Sequence, residues 1–297
     1  MRPWHRIALG WLIAGLVVVT IGFTLRDSLH EAGTTLAGIA PLTFCALVLP
    51  GALMMVATGA SFALLVLPRD SDWVQRSKIV GIYLTAQIIK YLPGRVWGLV
   101  YQLKRLTEQV HMSQGIVASV NHMILTILIS MLFLGLAFDV PGAWSLMLFG
   151  ASLGLLWTQR GGIAAYLTWV TNIPLTTLAP LPMQTVLGIG TCLALEWAFY
   201  LMVWTGLFML LSMPPEPEMI LALASLYAGS WIFGSLVSLV PGGLGVREGG
   251  FVMLGLVLGI PEPKLMAIAI LARLILTLAE TMTGTLAAAY LQKTTCR

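Results

Sequence analysis

The sequence predicts an all-α, polytopic membrane helical bundle with about six full spans and two broken or re-entrant helical segments, eight to ten helices in total. Three observations predict it. The 297 residues are 58% hydrophobic and only 9% charged, with mean hydropathy +0.92; a soluble domain carries roughly 25% charged residues. The apolar stretches reach the about 20 residues that a membrane helix needs, well beyond a barrel strand. Twice, a Pro-Gly pair interrupts such a stretch with an arginine close behind, at Lys90-Tyr91-Leu92-Pro93-Gly94-Arg95-Val96-Trp97-Gly98 and at Pro241-Gly242-Gly243-Leu244-Gly245-Val246-Arg247-Glu248-Gly249. Helix breakers beside charge survive at membrane depth only where the unwound backbone is buried in protein or lines a wet cavity.

The N-terminus, Met1-Arg2-Pro3-Trp4-His5-Arg6 before an apolar run over 7–25, starts like a signal sequence. The run is too long for a signal core and no small-residue cleavage site follows, so it reads as an uncleaved first span. The second span is 40–67, where Pro50-Gly51 implies tilt or a kink. A polar loop over 68–78 holds Arg69, Arg76 and Lys78. An arm over 79–92, the first break and a short arm over 96–103 follow, closed by Lys104 and Arg105. Spans are expected at 114–138 and 143–158, and an interfacial segment at 159–182, which contains Pro174, Pro180 and Pro182. A long span over 183–213 leads to the rigid turn Pro214-Pro215-Glu216-Pro217-Glu218. Then come an arm over 219–240, the second break, an arm over 244–260 and a last span over 265–291. No polar linker divides the chain, so 1–297 reads as one membrane domain.

Orientation follows from the Lys and Arg count in the short loops. With both termini in the cytoplasm, Arg2, Arg6, Arg69, Arg76, Lys78, Lys104, Arg105, Arg160, Lys293 and Arg297 lie inside, and only Arg26 and Lys264 outside. The two broken segments then open from opposite sides. A shift of 148 positions lays Pro93-Gly94 on Pro241-Gly242 and 114–138 largely on the last span. That is the arrangement of inverted repeats in secondary transporters, with halves at about 40–158 and 183–291.

The second break carries the chief candidate site. Gly242, Gly243 and Gly245 permit an unwound backbone, and a helix restarting after Gly245 would leave N–H groups and a dipole that favour an anion. Arg247 adds a planar, permanently charged donor. The functional reading is an anionic headgroup site, with Glu248 tuning Arg247 or binding a coupling cation. The alternative is a structural turn with Arg247 paired to another buried carboxylate. At the first break, Lys90, Arg95 and Trp97, with Tyr91, read equally as a phosphate contact or as interfacial anchors. Glu196, alone mid-span, is a candidate proton carrier or partner of Arg247. Arg273 and Glu280 lie on one face of the last span; they read as coupling or charge-compensating groups, or, more readily, as neutralising each other through a third group or water. Asn121 and His122 read as helix contacts. The intramembrane charges Lys90, Arg95, Arg247 and Arg273 outnumber Glu196, Glu248 and Glu280, which suits an anionic substrate.

Cys45, Cys192 and Cys296 show no metal spacing and no disulfide framework. Cys45 and Cys192 read as small core hydrophobes. No Walker loop, dinucleotide fingerprint or HExxH is present, and the reading is of a non-enzyme without cofactor or metal. The net charge of +4 points to membrane orientation and anionic lipid, not nucleic acid.

The motifs at 241–249 and 90–97 resemble the lysylphosphatidylglycerol synthase transmembrane-region family, a flippase-like domain, over about residues 5–292. The resemblance implies a polytopic helical domain with broken helices in the bacterial inner membrane. In bifunctional members it implies movement of an aminoacylated phospholipid between leaflets. The family motif corresponds here to Pro241, Gly242, Gly243, Gly245, Arg247 and Glu248, and to Pro93, Gly94 and Trp97. Unlike the bifunctional members, the chain carries no aminoacyl-transferase domain, so synthesis of the lipid is not expected. Stand-alone relatives are thought to handle other lipids, including polyprenyl-phosphate-linked sugars. The expected function is therefore a lipid translocator for an anionic phospholipid or a polyprenyl-phosphate-linked lipid. The alternatives are a non-transporting partner that binds a lipid-linked glycan or a glycosyltransferase, and an intramembrane transferase. The small-residue patterns at 150–154 and 255–259 read as close helix packing before dimerisation, and a homo-oligomer stays open as a partner.

Overall fold

The computed structural model describes residues 41–67, 71–91, 96–137, 168, 181–236 and 245–295. These form eight α-helices and no strand, a helical membrane bundle as the composition implies. Helix α1 spans Pro41–Val66, α2 Trp73–Ile89, α3 Val96–Leu106 and α4 Met112–Ala137. Helix α5 spans Met183–Leu210, α6 Pro217–Leu236, α7 Val246–Gly255 and α8 Glu262–Thr295. Four of them, α1, α4, α5 and α8, are long and apolar enough to cross a membrane. They coincide with the spans expected at 40–67, 114–138, 183–213 and 265–291. The expected spans at 7–25 and 143–158, and the interfacial segment at 159–182 apart from residues 168, 181 and 182, lie outside the described residues.

Local signals explain the helix ends. Asp72 caps α2, its carboxylate accepting the Gln75 N–H at 2.6 Å. Pro217 opens α6 at a position where a missing N–H costs nothing. Helix α1 runs unbroken through Pro50, and Gly51 sits where a Cβ would be 3.0 Å from Ala279 of α8. A short 3₁₀ turn, Leu256–Leu258, follows α7, and Gly259 at φ 70° reverses the chain into α8. At 34 residues α8 is the longest element, about 50 Å at 1.5 Å per residue.

Helix α1 packs along α5, α8 lies against α1 and α2, and α4 lies against α6 and α1. The core holds the fully buried Phe62, Trp204, Phe208, Tyr227 and Phe251. Trp204, Tyr227 and Phe251 form a three-ring cluster joining α5, α6 and α7, with centroids 5.4–5.9 Å apart. The outward faces remain apolar, with Leu42, Leu49, Met209, Met253 and Leu286 exposed; in lipid such a surface carries no penalty. Cys192 is half-buried and Cys45 is exposed, so Cys45 belongs to this outer face and not to the core as expected.

Helix α3 restarts beside α2 through a close approach. A Cβ on Gly98 would lie 2.8 Å from the Ala86 carbonyl oxygen, a contact backbone cannot relieve without moving a helix. Gly98→Ala is expected to cost about 1–3 kcal/mol through this overpacking. Thermal unfolding of the purified protein in detergent would test it; an unshifted midpoint would show that α3 is not held against α2.

Candidate functional site

One cavity of about 150 Å³ lies among α1, α2, α4, α5, α6, α7 and α8. It sits near the mid-height of the spans: Glu196, on its wall, is at the middle of the 28-residue α5. Lys90, Glu196, Arg247 and Glu280 all line it. Residues from both breaks and from two spans, dispersed over 190 positions of sequence, thus share one polar space.

Lys90 closes α2 at the first break. Its Nζ stands 2.8 Å from Glu280 Oε1 and donates to Gln87 Oε1 at 3.1 Å. The Tyr91 hydroxyl donates to Glu280 Oε2 at 2.6 Å. Both oxygens of Glu280 are therefore occupied by the first broken segment.

At the second break Gly245 caps α7 with φ 80° and ψ −40°, a backbone state that a Cβ disfavours. Its N–H donates to Glu248 Oε2 at 2.7 Å, while Glu248 Oε1 accepts from Arg273 Nη1 at 3.0 Å. The helix start thus meets the chain's own carboxylate, which takes the place the sequence assigned to a bound anion. Gly245→Ala is expected to cost about 1–3 kcal/mol in backbone strain, read as a lowered unfolding midpoint. An unchanged midpoint would mean that the turn adapts to a side chain.

Arg247, one residue before Glu248, turns the other way and lines the cavity. Its guanidinium lies 4.0 Å from the centroid of the Tyr227 ring, a cation–π contact. Its Nε is buried with no hydrogen-bond partner among the described residues. The three ion pairs among those residues include neither Arg247 nor Glu196. Arg247 is therefore a cation aimed at the cavity without the buried carboxylate partner considered from sequence.

Several sequence expectations are corrected here. Arg273 and Glu280 take partners on other helices, Glu248 and Lys90, where mutual neutralisation was expected. They stand seven residues, about 10 Å, apart on one helix, and in place of a third group shared between them each takes its own oppositely charged partner. Glu248 neither pairs with Arg247 nor lines the cavity; it is engaged by Arg273 and the helix cap. Trp97 is 51% exposed on α3 and stands outside the cavity, because Gly98 turns the opposite side of that helix onto α2. Among the described lining residues two cations, Lys90 and Arg247, face two carboxylates, Glu196 and Glu280; Arg95, part of the positive excess expected from sequence, lies outside the described residues. Pro93, Gly94, Arg95, Pro241, Gly242 and Gly243 lie outside the described residues.

His122 behaves as the packed helix contact expected of it. Its Nε2 is 3.2 Å from Ser61 Oγ, and its ring meets Phe62 and Tyr83 edge-on. Asn121 is fully buried beside it. Sequence reasoning missed Tyr83, Gln87, Thr58 and Tyr200, which also line the cavity. Tyr83, Gln87 and Lys90 recur at helical spacing on α2, a polar stripe within an apolar arm that could have revealed the first three-residue wall. Among the described residues no cluster of His, Cys, Asp or Glu is placed to hold a metal ion. No family model and no curated protein matches this chain.

Proposed function

We propose that this protein is a lipid translocator, moving an anionic phospholipid or a polyprenyl-phosphate-linked lipid between the leaflets of the bacterial inner membrane. The observation that carries the proposal is Arg247: a guanidinium with no carboxylate partner among the described residues, facing a cavity at mid-span height. A guanidinium fork matches phosphate and carboxylate geometry, and phosphate is the anion that the lipids named here carry. The adjoining pair of Lys90 and Glu280 places the first broken segment at the same cavity.

The packing pattern supports two related halves. A shift of 148 positions relates α1, α2, α3 and α4 to α5, α6, α7 and α8 in order. The contacts follow the same exchange: α2 on α8 answers α6 on α4, α2 on α3 answers α6 on α7, and α3 on α4 answers α7 on α8. The packing of α8 on α1 has a slighter counterpart in α4 and α5, where Phe133 and Trp197 stack with centroids 3.4 Å apart. Two halves around a midplane site are the framework of alternating access. With both termini in the cytoplasm, one broken segment opens to each side of the membrane.

Reconstitution into liposomes tests the proposal. Anionic lipids with a fluorescent headgroup, quenched from outside, should lose protection faster in vesicles that contain the protein. Retention of tightly bound lipid without any leaflet exchange would instead favour a non-transporting binding partner, and chemically altered lipid would favour a transferase.

A further inference from the structure

The cavity contains more charge than an anion site needs, and the arrangement is specific. Glu280 is held by Lys90 and Tyr91, and Glu248, outside the cavity, is held by Arg273 and Gly245. Glu196 lines the same cavity as Arg247 and enters no ion pair among the described residues. Two opposite charges, neither in an ion pair among the described residues, thus line one cavity without touching.

From this geometry we infer that Glu196 is the site of a proton taken up together with the anion that binds Arg247. The inference rests on the lipid-phosphate reading of the site and adds the ion that accompanies the lipid. The charges of the described lining residues, Lys90 and Arg247 against Glu196 and Glu280, cancel. A phosphate arriving alone would add a negative charge beside an ionised carboxylate, in surroundings where water screens it poorly. One proton on Glu196 restores neutrality and removes the like-charge repulsion. The bond formed is an O–H on the Glu196 carboxyl, and the proton comes from solvent.

The other ionisable groups around Glu196 do not supply this function. From α2, Tyr83 and Lys90 face the cavity, and Lys90 is committed to Glu280. From α7 comes Arg247, the proposed anion ligand, and from α8 Glu280, with Arg273 paired further along. Helix α6 contributes Tyr227, beneath the guanidinium. On α5 itself lie Tyr200, whose hydroxyl donates to the Ala224 carbonyl at 3.0 Å, and Cys192 one turn away. On α4, His122 is turned to Ser61 and does not line the cavity. The α1 wall is Met54, Met55 and Thr58, without a titratable group.

The test is calorimetric titration of the whole protein in detergent with dioctanoylphosphatidylglycerol and with dioctanoylphosphatidic acid. Each titration is repeated across a pH series in two buffers of different ionisation enthalpy. Wild type should take up close to one proton per lipid bound on the alkaline side. Its affinity there should fall by up to about tenfold per pH unit. With dioctanoylphosphatidylglycerol, whose phosphodiester keeps one charge throughout, Glu196→Gln should bind with no such fall, so that at alkaline pH it binds more tightly than wild type; phosphatidic acid, which itself titrates, reports only whether a phosphomonoester binds. Glu196→Asp, which keeps the carboxyl, should keep the pH dependence. Wild-type binding without proton uptake, or an unchanged pH slope in Glu196→Gln, overturns the inference while leaving the lipid reading intact. Failure of wild type to bind either lipid overturns the lipid reading, and the proton site with it.

Discussion

Arg247→Ala should abolish leaflet exchange and strip bound anionic lipid from the protein while leaving the fold in place. Hydrogen bonds from a charged donor contribute about 1.5–3 kcal/mol each. Loss of one such contact lowers affinity by about 10- to 100-fold, and a two-pronged fork loses more. The fold should tolerate the change because two effects oppose each other. The cation–π contact on Tyr227, worth about 2 kcal/mol when desolvated, disappears. So does the cost of holding a buried charge that no carboxylate compensates among the described residues. Native mass spectrometry of gently solubilised wild type and variant, with the bound lipids identified, reads the first effect; the unfolding midpoint reads the second. Arg247→Lys should recover only part of the binding, since an ammonium lacks the planar fork. A well-folded Arg247→Ala protein that retains its lipid and exchanges it normally would reduce the second break to a structural turn.

The contrast between what was and was not legible in the sequence has a physical basis. Apolar length alone places α1, α4, α5 and α8, because a helix that is apolar around its whole circumference reports its environment directly. Gly245 was legible as the residue after which a helix restarts, and α7 begins at Val246 behind its φ of 80°. Pairing was not legible. The sequence puts Arg247 next to Glu248 and sets Arg273 and Glu280 on one helix, yet the ion pairs formed join Glu248 to Arg273 and Lys90 to Glu280. Ion pairing at membrane depth follows from which helices abut, and neighbouring positions on a helix diverge by about 100°. The wall formed by Tyr83 and Gln87 went unseen for a related reason: polar and aromatic residues in an apolar arm read as scattered until a neighbouring helix shows that they share a face.

The largest structural effect is expected at Glu248. Its carboxylate spans two contacts that fix where α7 begins: Oε2 takes the Gly245 N–H at 2.7 Å, and Oε1 takes Arg273 at 3.0 Å, with both side chains only 12% exposed. Glu248→Ala removes the cap acceptor and deprives Arg273 of that carboxylate. Breaking a buried pair from one side typically costs about 3–5 kcal/mol, more than a pair contributes when both partners are replaced together. Glu248→Ala should therefore lower the unfolding midpoint sharply, and Glu248→Gln, which keeps an oxygen for the Gly245 N–H, should fall between it and wild type. Adding Arg273→Met to Glu248→Ala should recover much of the loss, and the resulting double-mutant cycle isolates the pair from the cap. The same displacement of α7 moves Arg247, so the single variant should lose lipid as well as stability, and the double variant should regain both together. If stability returned in the double variant without lipid binding, Glu248 would be contributing to the cavity in its own right, contrary to its position outside that wall.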